Sequence, residues 1–88
     1  MSINQVKSYY ELLSELGERQ RAVYDIIKSN NGLILPEICK LAELPVNCVS
    51  GRVSELMRKG LIEITGDRIN PFSQKLNSVY EVKQLDLF

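Results

Sequence analysis

Apolar residues recur along this chain first at helical and then at strand spacing, with the change near residue 60. Ile3, Val6, Tyr10 and Leu13 lie three or four apart, and Tyr9, Leu12 and Leu16 form an adjoining stripe, so a helix is expected over residues 1–16, interrupted by Gly17. The next stretch, ERQRAVYDIIKS, puts Ala22, Val23, Ile26 and Ile27 on one face. Asn30-Asn31-Gly32 then supplies a stop in which Asn or Gly takes the left-handed conformation. After the short apolar run Leu33-Ile34-Leu35, Pro36 suits a first helical turn and Glu37 complements its positive end. Ile38, Leu41, Ala42 and Leu44 give that helix its apolar face, and Pro45 ends it or begins the next.

From about Pro45 to Lys59 the spacing predicts a further helix. Val49, Val53, Leu56 and Met57 form its inward stripe, and Asn47, Gly51, Ser54 and Arg58 lie opposite. Gly60 closes it. Beyond this point Leu61, Ile62 and Ile64 read as one strand and Val79, Tyr80 and Val82 as another. Gly66, Asn70-Pro71 and Asn77-Ser78 read as turn chemistry between them, so a hairpin with a long loop is expected. The predicted class is mostly α with a small β-hairpin, and two short helices joined by a tight turn make a helix-turn-helix unit.

Composition narrows the function classes. The 88 residues, 44% hydrophobic and 25% charged, suit one small folded domain and leave no room for a two-domain enzyme. Eleven basic and eleven acidic side chains cancel, so charge must be read locally: residues 1–44 carry five basic and six acidic groups, residues 45–83 six and four. A modest cationic surface therefore belongs to the second half. Histidine is absent and only Cys39 and Cys48 carry thiols, which excludes the common zinc sets, and no metal or other cofactor is expected. The chain shows no nucleophile–base spacing and no glycine-rich phosphate loop, so it is not expected to be an enzyme. With no signal peptide and no long apolar run, a cytoplasmic chain away from membranes, with both cysteines reduced, is expected. The tyrosines, at helical and strand periods, are assigned to core packing.

The stretch LPEICKLAELPVNCVSGRVSELMRKGLIE resembles the helix-turn-helix of the winged-helix superfamily, and ITGDRINPFSQKLNSVYEV resembles its wing. The resemblance covers residues 18–83 and is nearest to small winged-helix proteins of phages and prophages, through Leu44-Pro45-Val46-Asn47 and Ser50-Gly51-Arg52. It implies a winged helix-turn-helix domain with an extra N-terminal helix (residues 1–17) and double-stranded DNA as a partner. Asn47, Ser50, Arg52 and Arg58 on the third helix and Arg68 and Lys75 in the wing are the expected contacts, with Asn70, Ser73 and Gln74 as further polar wing groups. Gly51 departs from the many members that carry a basic or polar side chain there.

The last five residues, Gln84-Leu85-Asp86-Leu87-Phe88, resemble the pentapeptide by which bacterial polymerases and repair proteins dock on the DNA sliding clamp. The Gln84 amide suits a pocket rim, Leu85, Leu87 and Phe88 suit apolar concavities, and Asp86 suits solvent or a basic rim. This resemblance implies a bacterial or phage protein that binds DNA and docks on the clamp in DNA replication. Two alternatives stay open. One is a transcriptional regulator binding a palindromic operator as a homodimer, with the N-terminal helix as the dimer face. The other is a protein-interaction module without DNA binding, suggested by Gly51 and the zero net charge.

Overall fold

The computed structural model describes residues 11, 13–30 and 32–83. Three helices and three strands follow one another in these residues: α1 (Glu18–Ser29), β1 (Leu33–Ile34), α2 (Leu35–Ala42), α3 (Val46–Arg58), β2 (Ile62–Ile69) and β3 (Leu76–Val82). Most of the helix expected over 1–16 lies outside the described residues. Its described end is helical at Glu11, Leu13 and Ser14, with Glu15 N–H bonded to the Glu11 carbonyl.

Each helix end has a local cause. Gly17 N–H donates to Gln20 Oε1 at 3.1 Å, which fixes the entry to α1. At its exit the Asn30 amide donates to the Ile26 carbonyl at 2.9 Å, and the left-handed residue of that stop is Gly32, at φ +90°. Helix α2 begins one residue before Pro36, and Glu37 reaches back to accept the Ile34 N–H at 3.1 Å, supplying the cap that the side chain of the N-cap residue, Ile34, cannot. It ends on Glu43 in the left-handed region, φ +56°, with Leu44 N–H bonded to the Cys39 carbonyl. Pro45 opens α3 as its N-cap. At the far end Gly60, φ +76°, donates to Met57 and Leu61 donates to Leu56; this paired closure satisfies two carbonyls and turns the chain into the sheet.

The core forms where the three helices meet the base of the sheet. Val23, Tyr24 and Ile27 of α1, Ile38 of α2, Val49, Val53 and Leu56 of α3, Leu33 of β1, and Leu61 and Ile62 pack into one buried cluster. Each fully buried Ile or Leu contributes roughly 1.5–3 kcal/mol, so this cluster supplies the main drive to fold. Three positions depart from the expected inward stripes: Ala22 is exposed, Leu41 is 51% exposed and Met57 is 37% exposed. Tyr24, expected in the core, is buried at 1% exposure.

The sheet differs most from the expected hairpin. It has three antiparallel strands in the order β1-β3-β2, because Leu33 and Ile34 pair with Tyr80 and Val79. Strand β2 is also longer than predicted. Gly66 lies inside it at a bulge, where the register to β3 shifts between Ile64 and Gly66, and Asn77 and Ser78 pair within β3 rather than turning the chain. The turn proper is Asn70 to Lys75. Asn70 N–H bonds to the Lys75 carbonyl, Gln74 N–H to the Asn70 carbonyl, and the Asn70 side chain accepts the Phe72 N–H at 2.9 Å and donates to Asn77. Asn70 is thus buried, at 8% exposure, and holds the turn instead of projecting from it. Replacing it with Ala is expected to cost about 1–2 kcal/mol and to speed amide exchange in residues 70–76 ahead of the helices. Equal exchange in the two proteins would show that the turn is held by other means.

Candidate nucleic-acid interface

Helices α2 and α3 are separated by only three residues, Glu43 to Pro45, and both pack on α1. With Val49, Val53 and Leu56 buried, a rotation of about 100° per residue turns Asn47, Gly51, Ser54 and Arg58 away from the core. Asn47, Ser54 and Arg58 are exposed, while Ser50 and Gly51 are partly covered. Around Gly51 no atom outside its own helix lies within 4 Å of where a Cβ would sit. No contact among the described residues therefore demands glycine there. The first turn of α3 carries no acidic residue, unlike α1 with Glu18 and α2 with Glu37, so the positive end of the helix dipole is left uncompensated.

Arg52 stands apart from that outward face. Its guanidinium grips Glu55 with two hydrogen bonds, Nε to Oε1 at 2.7 Å and Nη2 to Oε2 at 3.0 Å. Gln20 of α1 donates to the same Glu55 Oε1 at 2.7 Å. The trio joins α3 to α1 on the flank of the helix. Hydrogen bonding from Arg52, then from Gln20, holds the Glu55 carboxyl below its ordinary value of 4.5, and the same pairing raises Arg52. A lowered native value means the contribution is complete above the ordinary carboxylate range and disappears as pH falls through the native value. The difference in melting temperature between the native chain and Glu55→Gln is therefore expected to be constant near neutrality and to shrink in acid below pH 4.5. A difference that does not change with pH would show that the ionised carboxylate is not what stabilises this contact. The i, i+3 spacing of Arg52 and Glu55 is a signal from which the pair could have been read, but the third member comes from a residue 35 positions away.

In the hairpin, Arg68 is paired with Glu37 of α2, which ties β2 to the helical layer. Lys75 is exposed in the turn, and the Gln74 amide donates to the Pro71 carbonyl at 3.2 Å. The tip is more apolar than expected: Phe72 is 90% exposed, Leu76 68% and Ile69 56%. Ile69 and Leu76 are cross-strand partners, so they share one face beyond the reach of the helices. The sequence pointed to the wing's contacts through its polar residues and not through this apolar set, although the Pro71-Phe72 step was visible. Cys48 receives a weak contact from Arg19 Nη1 at 3.7 Å, and Cys39 packs against the core, where burial raises its thiol pKa; both are free thiols.

No family model and no curated protein matches this chain. Among solved structures, the transcriptional regulator PA4135 superposes with a TM-score of 0.60 at 18% identity, covering 93% of this chain and 52% of that one. The PcaV transcriptional regulator from Streptomyces coelicolor superposes with a TM-score of 0.62 at 18% identity, covering 92% of this chain and 61% of that one. The same regulator in complex with its natural ligand gives a TM-score of 0.62 and 59% coverage of its length. The fold is a winged helix-turn-helix. In this winged helix α2 and α3 are the helix-turn-helix and β2–β3 is the wing. The chain spans between about half and three fifths of the length of these regulators. Among the described residues, no helix of the winged helix is long and apolar enough to cross a membrane.

Proposed function

We propose that this chain is a transcriptional regulator that binds double-stranded DNA by laying α3 in the major groove. The observation that carries this reading is the outward face of α3: exposed Asn47, Ser54 and Arg58, small Ser50 and Gly51 between them, and no carboxylate in the first turn. Its likeness in fold to two transcriptional regulators supports the reading. Asn47 and Ser50 act at base edges, and Arg58 and Lys75 act at phosphates. Arg52 and Arg68, each engaged by a carboxylate, contribute less to DNA and more to holding α3 and the wing in place. Residues 18–83 are the DNA-binding unit in this reading, and the N-terminal segment 1–17 serves as the face of a homodimer on a palindromic operator.

The test is retention of a labelled duplex by the full chain over a salt series. The logarithm of the affinity is expected to fall linearly with the logarithm of salt, and Arg58→Ala and Lys75→Ala should each reduce that slope by about 0.9. Retention that ignores both salt and these substitutions would overturn the reading.

A second reading adds docking on the bacterial sliding clamp through Gln84, Leu85, Asp86, Leu87 and Phe88, in a bacterial or phage setting and in the service of DNA replication. These five residues lie outside the described residues, and the reading is supported by their complete match to the docking pattern. Capture of purified clamp by the full chain, lost in the Leu87→Ala/Phe88→Ala double variant with unchanged melting, is the expected result. A double variant that melts much earlier and captures clamp as before would assign both side chains to the core instead.

A further inference from the structure

We propose that the first turns of α3 read an A·T step, with Asn47 on adenine and Val46 on the methyl group of a thymine. The inference rests on the DNA-binding reading above and names the base pair that reading leaves open. Taking the rotation of about 100° per residue, Val46, Ser50 and Asn47 fall within one sector of roughly 100°, between the buried stripe and the outermost line of the helix. Val46 is 57% exposed although it is apolar, and Asn47 is exposed.

The chemistry of this sector is one-sided. Guanine is read by Arg or Lys at O6 and N7, and cytosine by a carboxylate at N4. None of these side chains occurs from Val46 to Gly51. The nearest cation along the helix, Arg52, lies on the flank and is engaged by Glu55. Arg58 is eleven residues from Asn47, about 16 Å along the axis, which suits a phosphate rather than the same base step. What the sector does offer is an amide, which pairs with adenine N6 and N7, and two methyl groups, which pack on a thymine C5-methyl.

One local contact prepares the amide. Asn47 Oδ1 accepts the Cys48 N–H at 3.1 Å, which orients the amide plane and leaves Oδ1 a second lone pair for adenine N6. The Asn47 Nδ2 group has no hydrogen-bond partner among the described residues, so it is available to adenine N7. Ser50 donates its hydroxyl to the Asn47 carbonyl at 3.3 Å and stays close to the helix. With Gly51 beside it, the backbone can approach a groove floor closely.

The experiment selects duplexes bound by the full chain from a library with a randomised centre, then measures affinity on the enriched site. Sites with an adenine next to a thymine are expected, and Asn47→Ala should lose discrimination at the adenine by at least about fivefold while melting as the native chain does. Replacing the thymine with uracil removes one methyl group. That change should weaken the native chain about three- to fourfold and leave Val46→Ala indifferent. Enrichment of G·C at the positions that respond to Asn47→Ala, or equal uracil sensitivity in both proteins, overturns the A·T assignment and leaves DNA binding intact. If no duplex is retained even at low salt, DNA binding falls and the assignment falls with it.

Discussion

Leu56→Asp is expected to leave the chain unfolded at room temperature. Leu56 is 0% exposed at the meeting of α3 with the other layers, and no cation lies in the buried cluster that surrounds it. The substitution removes roughly 1.5–3 kcal/mol of apolar burial and adds an unpaired carboxylate whose desolvation costs several kcal/mol more. Domains of this size hold on the order of 5–10 kcal/mol in total, so the sum exceeds or consumes the whole reserve. Val53→Asp, at 3% exposure, is expected to behave alike. Ser54→Asp, one residue further round the helix and exposed, should change stability by no more than about 0.5 kcal/mol. Circular dichroism and a thermal melt of the three variants decide the matter, and similar melting for all of them would show that the phase of α3 is misassigned.

Ser54→Asp then serves the second prediction, because it is expected to fold normally and yet lose DNA. Ser54 lies between Asn47 and Arg58 on the face turned away from the core, so a carboxylate there meets the phosphate wall and the acceptor-rich edge of a groove, and it also draws Arg58, four residues on, away from its phosphate. Like-charge juxtaposition in an interface costs several kcal/mol, and retention should fall about 100-fold or more. A charge of the same sign away from α3 is the control: Ser29→Asp, exposed in the last turn of α1, should weaken retention far less. Equal loss from both would point to net charge as the cause; no loss from Ser54→Asp would remove α3 from the interface.

These two predictions depend on how α3 is phased, and that was legible from spacing alone. Val49, Val53 and Leu56 recur at four and three, a rhythm only a helix can bury on one side, and Gly60 marked the exit. The distinction between buried and exposed apolar residues at the margins of a stripe was not legible. Met57 and Leu41 have the right period, but whether such a residue is covered depends on where the neighbouring helix stops. Neighbour positions are set by packing across the chain, and no local pattern encodes them. The same limit applied to polar groups. Arg52 and Arg68 look alike in a sequence as free cations, and each proves to be held by a carboxylate, Glu55 within its own helix and Glu37 across 31 residues.

The hairpin shows the division most clearly. Alternation identified two strands, and Asn70-Pro71 marked the turn. Gly66 and Asn77-Ser78 carry the same turn chemistry, yet the ladder absorbs them: one at a bulge, the others in register with Arg68 and Asp67. Leu33 and Ile34 are too short a run to announce a strand, and they become one only because β3 presents an open edge to them. By itself, then, the sequence determined the helices, their inward faces and the presence of a hairpin, because these follow from periodicity and from the φ preferences of Gly and Pro. Only the tertiary structure decided the third strand, the fate of each cation and the apolar tip at Ile69, Phe72 and Leu76, because pairing and burial depend on which distant surfaces meet.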